Sequence, residues 1–251
     1  MLFYTFLFVV CLSLVQFEDS YAALPSYMKA CRRFDPKLNE CVLKVGKASA
    51  KLFSKGDPAT NIPTLDPLKV DQIKTAAFGN GKDNGIKILF TDVAISGLKD
   101  LDIKKMTIDV AKQRFSAKAI VNMNMVGDYD LSGRLLIFPL VGKGKSRVTL
   151  NDVKLIYTFD YDIVKINGVE YGKFAKDDIK YEVGKASFQL DNLFNGDKVL
   201  GQTTNTLLNE NWKDVLGELA PPVVSAIRAG FQKATEAFLA QVPYDELLLI
   251  P

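Results

Sequence analysis

The chain has 251 residues, of which 48% are hydrophobic, 10% aromatic and 24% charged, a composition typical of globular proteins and not of disordered or fibrous ones. It contains no histidine, which excludes a Ser-His-Asp triad, a Cys-His dyad and any histidine-ligated metal site. The formal net charge is +3, from 32 basic and 29 acidic residues, and no run of Lys/Arg concentrates it. We therefore expect no nucleic-acid partner.

The first 22 residues predict a secretory signal peptide. Leu2 to Val15 is almost entirely apolar, but as a helix it spans only about 21 Å, too short for a hydrocarbon core of roughly 30 Å. Ser20 and Ala22 suit cleavage after Ala22, although no Lys or Arg precedes the apolar run. A retained membrane anchor is the less favoured alternative. We expect a secreted, extracellular protein, with residues 23–251 forming a single domain and no stable membrane insertion after cleavage.

Two cysteines remain after that cleavage, because Cys11 is lost with the signal peptide. Cys31 and Cys41 are close in sequence, and in an oxidising compartment a disulfide is their natural interpretation. The chain-entropy model gives so short a loop about 2.5–3 kcal/mol. The disulfide is therefore a local constraint, and the hydrophobic core must stabilise the rest.

The N-terminal part of the mature chain predicts one helix followed by an extended segment. Apolar residues recur at helical spacing from Lys37 to Phe53, and Gly56-Asp57-Pro58 closes the helix. In Ile62–Leu68, two prolines four residues apart forbid a helix.

From about Gly85 to Leu193 the hydrophobic period changes to two, which predicts long antiparallel strands with one dry and one wet face. Turns are predicted at Gly79-Asn80-Gly81, Gly142-Lys143-Gly144 and Asn167-Gly168. Strands this long must bend or break, and Gly127 and Gly133 are the expected places. The dry faces carry these residues: Phe115, Ala117, Ala119, Val121, Met123, Met125, Tyr129, Leu131, Leu135 and Ile137, then Val153, Leu155, Tyr157, Phe159, Tyr161 and Ile163.

After Thr203 the pattern is helical again. Pro221-Pro222 is expected to start or kink a long helix that continues through Val223–Leu239, and Pro243 ends it. A helix, many strands and a final long helix predict one α+β domain.

The sequence offers no convincing catalytic or metal site. The acidic pairs Asp160/Asp162 and Asp177/Asp178 could suggest acid–base chemistry or cation binding, but alternation places Asp160 and Asp162 on the wet face. Solvated carboxylates are therefore the default interpretation, since catalytic carboxylates normally lie in a cleft.

The predicted basic hairpin tip Gly142–Arg147 could touch an anionic membrane, although solvated charge is the simpler interpretation. We expect no cofactor, no metal and no enzymatic activity.

The dry face has two possible interpretations. It is either an ordinary core or the lining of a cavity for a long apolar ligand. Met123 and Met125 have flexible side chains that can pack against apolar ligands of different shapes. Tyr129, Tyr157 and Tyr161 each carry a hydroxyl that needs a partner, which could be a ligand's polar end, a backbone carbonyl or a water.

Four features, in this order, resemble the takeout family of insect secreted proteins, relatives of the juvenile-hormone-binding proteins. They are a signal peptide followed by Cys31 and Cys41, the segment Ile62-Pro-Thr-Leu-Asp-Pro-Leu68, Leu208-Asn-Glu-Asn-Trp212 leading into an apolar helix, and Val242-Pro-Tyr-Asp-Glu-Leu247. The resemblance covers essentially the whole mature chain. The absence of a further cysteine pair favours takeout-like proteins over hormone carriers with two disulfides.

The resemblance implies a long C-terminal helix wrapped by a highly curved antiparallel β-sheet that encloses a hydrophobic tunnel. It also implies a Cys31–Cys41 disulfide. No ligand-contacting motif carries over, so the predicted tunnel lining is taken from alternation and helical spacing: Phe115, Val121, Met123, Met125, Tyr129, Leu131, Leu155, Tyr157, Phe159, Tyr161, Ile227, Phe231 and Phe238.

The resulting hypothesis is a monomeric secreted carrier that sequesters a fatty acid, an isoprenoid or a juvenile-hormone-like ligand without chemistry. The resemblance adds a link to circadian, feeding or chemosensory signalling. The alternative is a membrane-acting lipid-transfer or lipid-recognition protein.

Overall fold

The computed structural model describes residues 24–75, 85–135 and 138–250. The predicted signal peptide and the predicted Gly79-Asn80-Gly81 turn lie outside them. The helices are α1 (Leu38–Phe53), α2 (Lys198–Glu210), α3 (Trp212–Gln241) and α4 (Tyr244–Leu247). The strands are β1 (Cys31–Arg32), β2 (Leu68–Lys74), β3 (Lys87–Ser96), β4 (Asp102–Asp109), β5 (Arg114–Leu135), β6 (Phe138–Ile166), β7 (Val169–Leu190) and β8 (Leu248–Leu249).

One antiparallel sheet dominates the structure. Its strands follow the order β2-β3-β5-β6-β7, and β4 also pairs with β5. β3 and β4 lie end to end along the same edge of β5, which pairs with β3 through residues 124–132 and with β4 through residues 114–120. The two short strands β1 and β8 pair in parallel and bring the two ends of the described chain together.

The sheet curls around α3. This helix contacts both β2 and β7, the outermost strands of the sheet order. Gly230 of α3 lies against Leu68 of β2, and Leu239 of α3 lies against Gly172 of β7. Because β2 and β7 pair with other strands and not with each other, the sheet is open and the helix fills the gap. The predicted long C-terminal helix within a highly curved antiparallel sheet is confirmed.

β-Bulges let the long strands bend without exposing their dry face. Asp152 of β6 has a positive φ of 51°, and the β5–β6 register shifts there, between Val121 and Met123. The extra residue changes the phase of β6, so its buried positions change from even numbers such as Val148 to odd numbers such as Val153.

Of the two expected bending points, Gly127 lies opposite such an irregularity. β3 has an extra residue between Thr91 and Ala94, where Asp92 has a φ of 50°. A Cβ atom on Gly127 would lie 2.9 Å from the Thr91 carbonyl oxygen, so only glycine fits beside this bulge.

Two predicted turns had different outcomes. Asn167-Gly168 is a two-residue hairpin turn between β6 and β7, with φ values of 50° and 85°. The prediction of a turn and a basic hairpin tip at Gly142-Lys143-Gly144 is wrong, because these residues lie within β6 and pair with β5. Gly142 packs so closely on the Tyr129 side chain that a Cβ would lie 2.7 Å from the hydroxyl oxygen. The glycine serves close packing, not chain reversal.

α3 runs through Pro221 and Pro222 from Trp212 to Gln241, so the prolines do not begin a new helix. Each proline lacks the amide that would bond the carbonyl of the residue four positions earlier. Those carbonyls belong to Gly217 and Glu218, which are exposed, so water can satisfy them.

α2 lies along the outer edge of β7, and two of its side chains bond to that strand. Asn205 donates to the Leu190 carbonyl at 2.9 Å and accepts from the Leu190 amide at 2.9 Å. Asn209 makes the same pair of bonds with Phe188, at 2.8 and 2.9 Å. The two side-chain amides thus occupy hydrogen-bonding positions that a further strand would use.

Candidate functional site

An apolar cavity of about 310 Å³ lies between α1, the C-terminal half of α3 and the dry faces of β4, β5 and β6. Its volume is near the lower end of the range of about 300–1,000 Å³ found for small-molecule sites. Aliphatic and aromatic side chains form nearly all of its wall, and Lys29 is its one charged lining residue among the described parts of the chain.

Aromatic rings shape the sheet side of this cavity. Phe115 and Phe159 stack with ring centroids 4.8 Å apart, and Tyr157 packs edge-on against Phe231 of α3 at 5.3 Å. These rings come from paired positions on β5 and β6 and from the facing helix. The apolar wall is therefore a direct product of the alternation in the two strands.

A second apolar cavity, of about 60 Å³, lies further along the sheet under the N-terminal half of α3. Leu155 lines both cavities. The smaller space is lined by Met123 and Met125 on the sheet and by Ile227 on the helix.

The structure divides the predicted tunnel residues into three groups. The larger cavity is lined by Phe115, Leu155, Tyr157, Phe159, Tyr161, Phe231 and Phe238. The smaller cavity is lined by Met123, Met125, Leu155 and Ile227. Val121, Tyr129 and Leu131 are buried in the main hydrophobic core and line neither of these cavities.

Sequence reasoning missed one whole wall of the larger cavity. α1 contributes Val42, Val45 and Phe53, and β4 contributes Met106 and Ile108. The apolar stripe of α1 was visible as a helical period, but that period does not show what the stripe faces. The alternation of apolar and polar residues in β4 is short, and it did not indicate that this strand lines a cavity.

The three tyrosine hydroxyls have different environments. Tyr129 donates to the backbone carbonyl of Asp191 at 2.6 Å, and burial raises the pKa of Tyr129 to about 12. The hydroxyls of Tyr161 and Tyr244 bond to each other at 3.0 Å inside the structure. Tyr157 Oη is buried and makes no hydrogen bond to any described residue. Burial raises the pKa values of Tyr157 and Tyr161 above the ordinary range, so both hydroxyls stay protonated.

The disulfide implied by the sequence is present. Cys31 and Cys41 are joined by a bond of 2.03 Å and tie β1 to α1. Cys31 and Tyr244 both line the larger cavity. The Arg33 guanidinium carbon lies 4.3 Å from the centroid of the Tyr244 ring, and Arg33 also forms an ion pair with Asp245. These contacts hold the N-terminal segment against α4 at this end of the cavity.

The acidic pairs are not equivalent. Asp160 accepts from Arg114 at 2.6 and 2.8 Å, and these bonds together with Lys176 hold the pKa of Asp160 down to about 2. The expectation of a solvated carboxylate fails at Asp177, whose side chain is only 2% exposed and pairs with Arg228 of α3. Within residues 24–75, 85–135 and 138–250, no cluster of three or more potential metal ligands occurs. No helix among them has the length and apolar character needed to cross a membrane.

Comparison with known proteins identifies the family. The family described as haemolymph juvenile hormone binding protein matches residues 5–249. The chain belongs to this family. The structure resembles the crystal structure of Takeout 1 from Epiphyas postvittana, with a TM-score of 0.80 and 28% sequence identity, covering 88% of this chain and 100% of that chain. The resemblance to takeout proteins is thus confirmed.

Curated relatives support the same placement. The circadian clock-controlled protein daywake of Drosophila melanogaster is 24% identical over 235 residues, covering 91% of this chain and 89% of the relative. The daywake protein of Drosophila yakuba is 24% identical over 237 residues, with the same coverage. These are family relationships across nearly the whole chain.

Proposed function

We propose that this member of the family is a secreted carrier that sequesters a small lipophilic ligand in its larger cavity. The observation that carries the proposal is the apolar cavity of about 310 Å³ between α1, α3 and the sheet. Membership in a family described by hormone binding supports a binding function. The candidate ligands are a fatty acid, an isoprenoid or a juvenile-hormone-like molecule.

Burial of apolar surface provides the binding free energy. A chain of about twelve methylenes gains up to roughly 10 kcal/mol on complete burial, at about 0.8 kcal/mol per methylene. Immobilisation subtracts several kcal/mol, which leaves micromolar to nanomolar affinity. No reaction is needed for this function, so the protein acts by holding and releasing its ligand.

The similarity to daywake proteins, named as circadian clock-controlled, supports a role in a signalling process of that kind. Feeding and chemosensory signalling are further candidate settings. The protein would act outside the cell, where a carrier increases the amount of an apolar signalling molecule that can be transported in water.

Native mass spectrometry of the secreted protein, followed by organic extraction, tests the proposal. We expect a co-purifying apolar molecule near one-to-one stoichiometry, or an apo protein whose melting temperature rises with added fatty acids or isoprenoids. If a panel of both classes fails to bind and leaves the melting temperature unchanged, the carrier function is refuted. Co-sedimentation with liposomes, but no uptake of free ligand, would favour the membrane-acting alternative.

A further inference from the structure

The two apolar cavities lie next to each other along the sheet and meet at one side chain. Leu155 of β6 is the one residue in the described part of the chain that lines both of them. The neighbouring buried positions of the same strand divide on either side of it, because Val153 lines the smaller cavity and Tyr157 lines the larger. Leu155 therefore lies at the boundary between the two spaces.

α3 shows the same boundary on the opposite wall. Ile227 lines the smaller cavity, and Phe231, about one turn further along the helix, lines the larger. Residues four apart on a helix lie on one face, so these two side chains are successive members of the face that packs on the sheet. On the helix side, the boundary between the cavities therefore falls within a single turn.

Leu155 is buried without belonging to a packed core. Its exposure is 8%. Val153 is part of the main hydrophobic core, and Tyr161 and Tyr244 belong to a second core at the other end of the larger cavity, but Leu155 is part of neither. Its side chain has space on both sides, so shortening it would join the two cavities.

The side chains of β5 explain why the space is wide on one side of Leu155 and narrow on the other. Ala117 and Ala119, which pair with Tyr157 and Leu155 of β6, line the larger cavity. Further along β5, Met123 and Met125 line the smaller cavity. Alanine side chains leave space that methionine side chains fill.

We propose that Leu155 sets the maximum chain length of the ligand. This inference rests on the proposed carrier function and adds a specificity-determining residue to it. The ligand occupies the larger cavity, and the end of its apolar chain stops at Leu155. A chain that is too long for the larger cavity leaves its additional methylenes in water, where they gain no burial free energy.

A homologous series of ligands tests the limit on the wild-type protein. The 1-alkanols from octanol to octadecanol and the corresponding saturated fatty acids each vary in chain length alone. Affinity is measured by displacement of a fluorescent apolar dye. We expect it to rise about fourfold with each added methylene until the chain fills the larger cavity, and then to stop rising.

Leu155→Ala tests the residue. It removes three side-chain carbons and opens the way to the smaller cavity, so the limit should move to chains at least about three carbons longer. Affinity for those chains should exceed that of the wild type about fiftyfold. Leu131→Ala is the matched control, because Leu131 is buried in the main hydrophobic core and lines neither cavity. It should leave the limit unchanged.

Ala220→Leu tests where the additional carbons go. Ala220 of α3 is buried and lines the smaller cavity. Alone, the substitution should leave the wild-type limit unchanged, because the ligand does not reach that space. Combined with Leu155→Ala, it should shorten the limit again. Circular dichroism establishes that each variant is folded. If Leu155→Ala does not fold, Leu155→Val removes one carbon and should lengthen the limit by about one carbon.

The outcomes separate the inference from the proposed function. A wild-type affinity that keeps rising through the longest chains overturns the length limit, as does binding of isoprenoids alone. An unchanged limit in folded Leu155→Ala, or an equal change in Leu131→Ala, overturns the assignment to Leu155. In each of these cases the carrier function stands. If no alkanol, fatty acid or isoprenoid binds, the carrier function itself fails.

Discussion

Filling the larger cavity should raise stability and lower ligand affinity at once. Ala117 of β5 lies between Met106 of β4 and Tyr157 of β6 in the sheet, and its side chain lines the cavity. Ala117→Leu adds three carbon atoms that project into existing space. At about 0.8 kcal/mol per buried carbon group, the gain is about 2.4 kcal/mol. Fixing the leucine rotamer costs about 0.5–1 kcal/mol, so the free energy of unfolding should rise by about 1–2 kcal/mol.

The same carbons occupy space that a ligand needs. A twelve-carbon ligand that loses the burial of about three methylenes loses about 2.4 kcal/mol, which corresponds to about fiftyfold weaker binding. Urea denaturation of the ligand-free protein and a displacement titration with 1-dodecanol measure the two effects separately.

Ala186→Leu is the matched control. Ala186 of β7 is 2% exposed and lies in the main hydrophobic core, away from both cavities. The added carbons have no free space there, so overpacking should destabilise the protein by about 1–3 kcal/mol. If Ala117→Leu destabilises the protein as much as Ala186→Leu does, the region around Ala117 is packed and the reasoning from an open cavity is refuted.

Further predictions concern stability. Replacing both Cys31 and Cys41 by serine removes a cross-link with a sequence separation of 10, and denaturation should show a loss of about 2.5–3 kcal/mol; an unchanged midpoint would contradict the loop-entropy argument. Gly97→Ala should cost more than about 2 kcal/mol, because Gly97 has a φ of 112° and a Cβ there would lie 2.1 Å from the Asn122 carbonyl oxygen. In contrast, Gly217→Ala on open helix surface should stabilise by about 0.5–1 kcal/mol; equal effects of the two alanines would refute this distinction. The depressed pKa of Asp160, about 2, stabilises the folded state fully above the unfolded pKa of about 4. This contribution is lost as the pH falls towards 2, so wild type and Asp160→Asn should converge in urea midpoint over that range, and a constant difference would contradict the assignment.

Alternation predicted the strands well because each has one dry and one wet face, a property that each short stretch of sequence carries by itself. It did not predict the bulge at Asp152, although the apolar positions change there from even-numbered residues such as Val148 to odd-numbered residues such as Val153. Gly142-Lys143-Gly144 had the composition of a turn, yet its glycines serve close packing on Tyr129 and on the segment after β7.

The candidate site was predicted only in part for a related reason. The strand residues of the larger cavity followed from their period, and Phe231 and Phe238 followed from helical spacing. The burial of Asp177 depends on Arg228, which is 51 residues away in the chain. The α1 wall likewise depends on a packing contact between distant segments. Such contacts are fixed by the curl of the sheet, which no single segment encodes.

The side chains of Asn205 and Asn209 have a consequence for association between molecules. An uncovered strand at the edge of a sheet is a template for pairing with another chain, and such pairing begins aggregation. Near Phe188 and Leu190, the amide groups of α2 already occupy the donors and acceptors of β7. α2 therefore prevents another chain from pairing with this part of β7. A folding intermediate in which α2 has not yet packed against β7 is the species most exposed to intermolecular strand pairing.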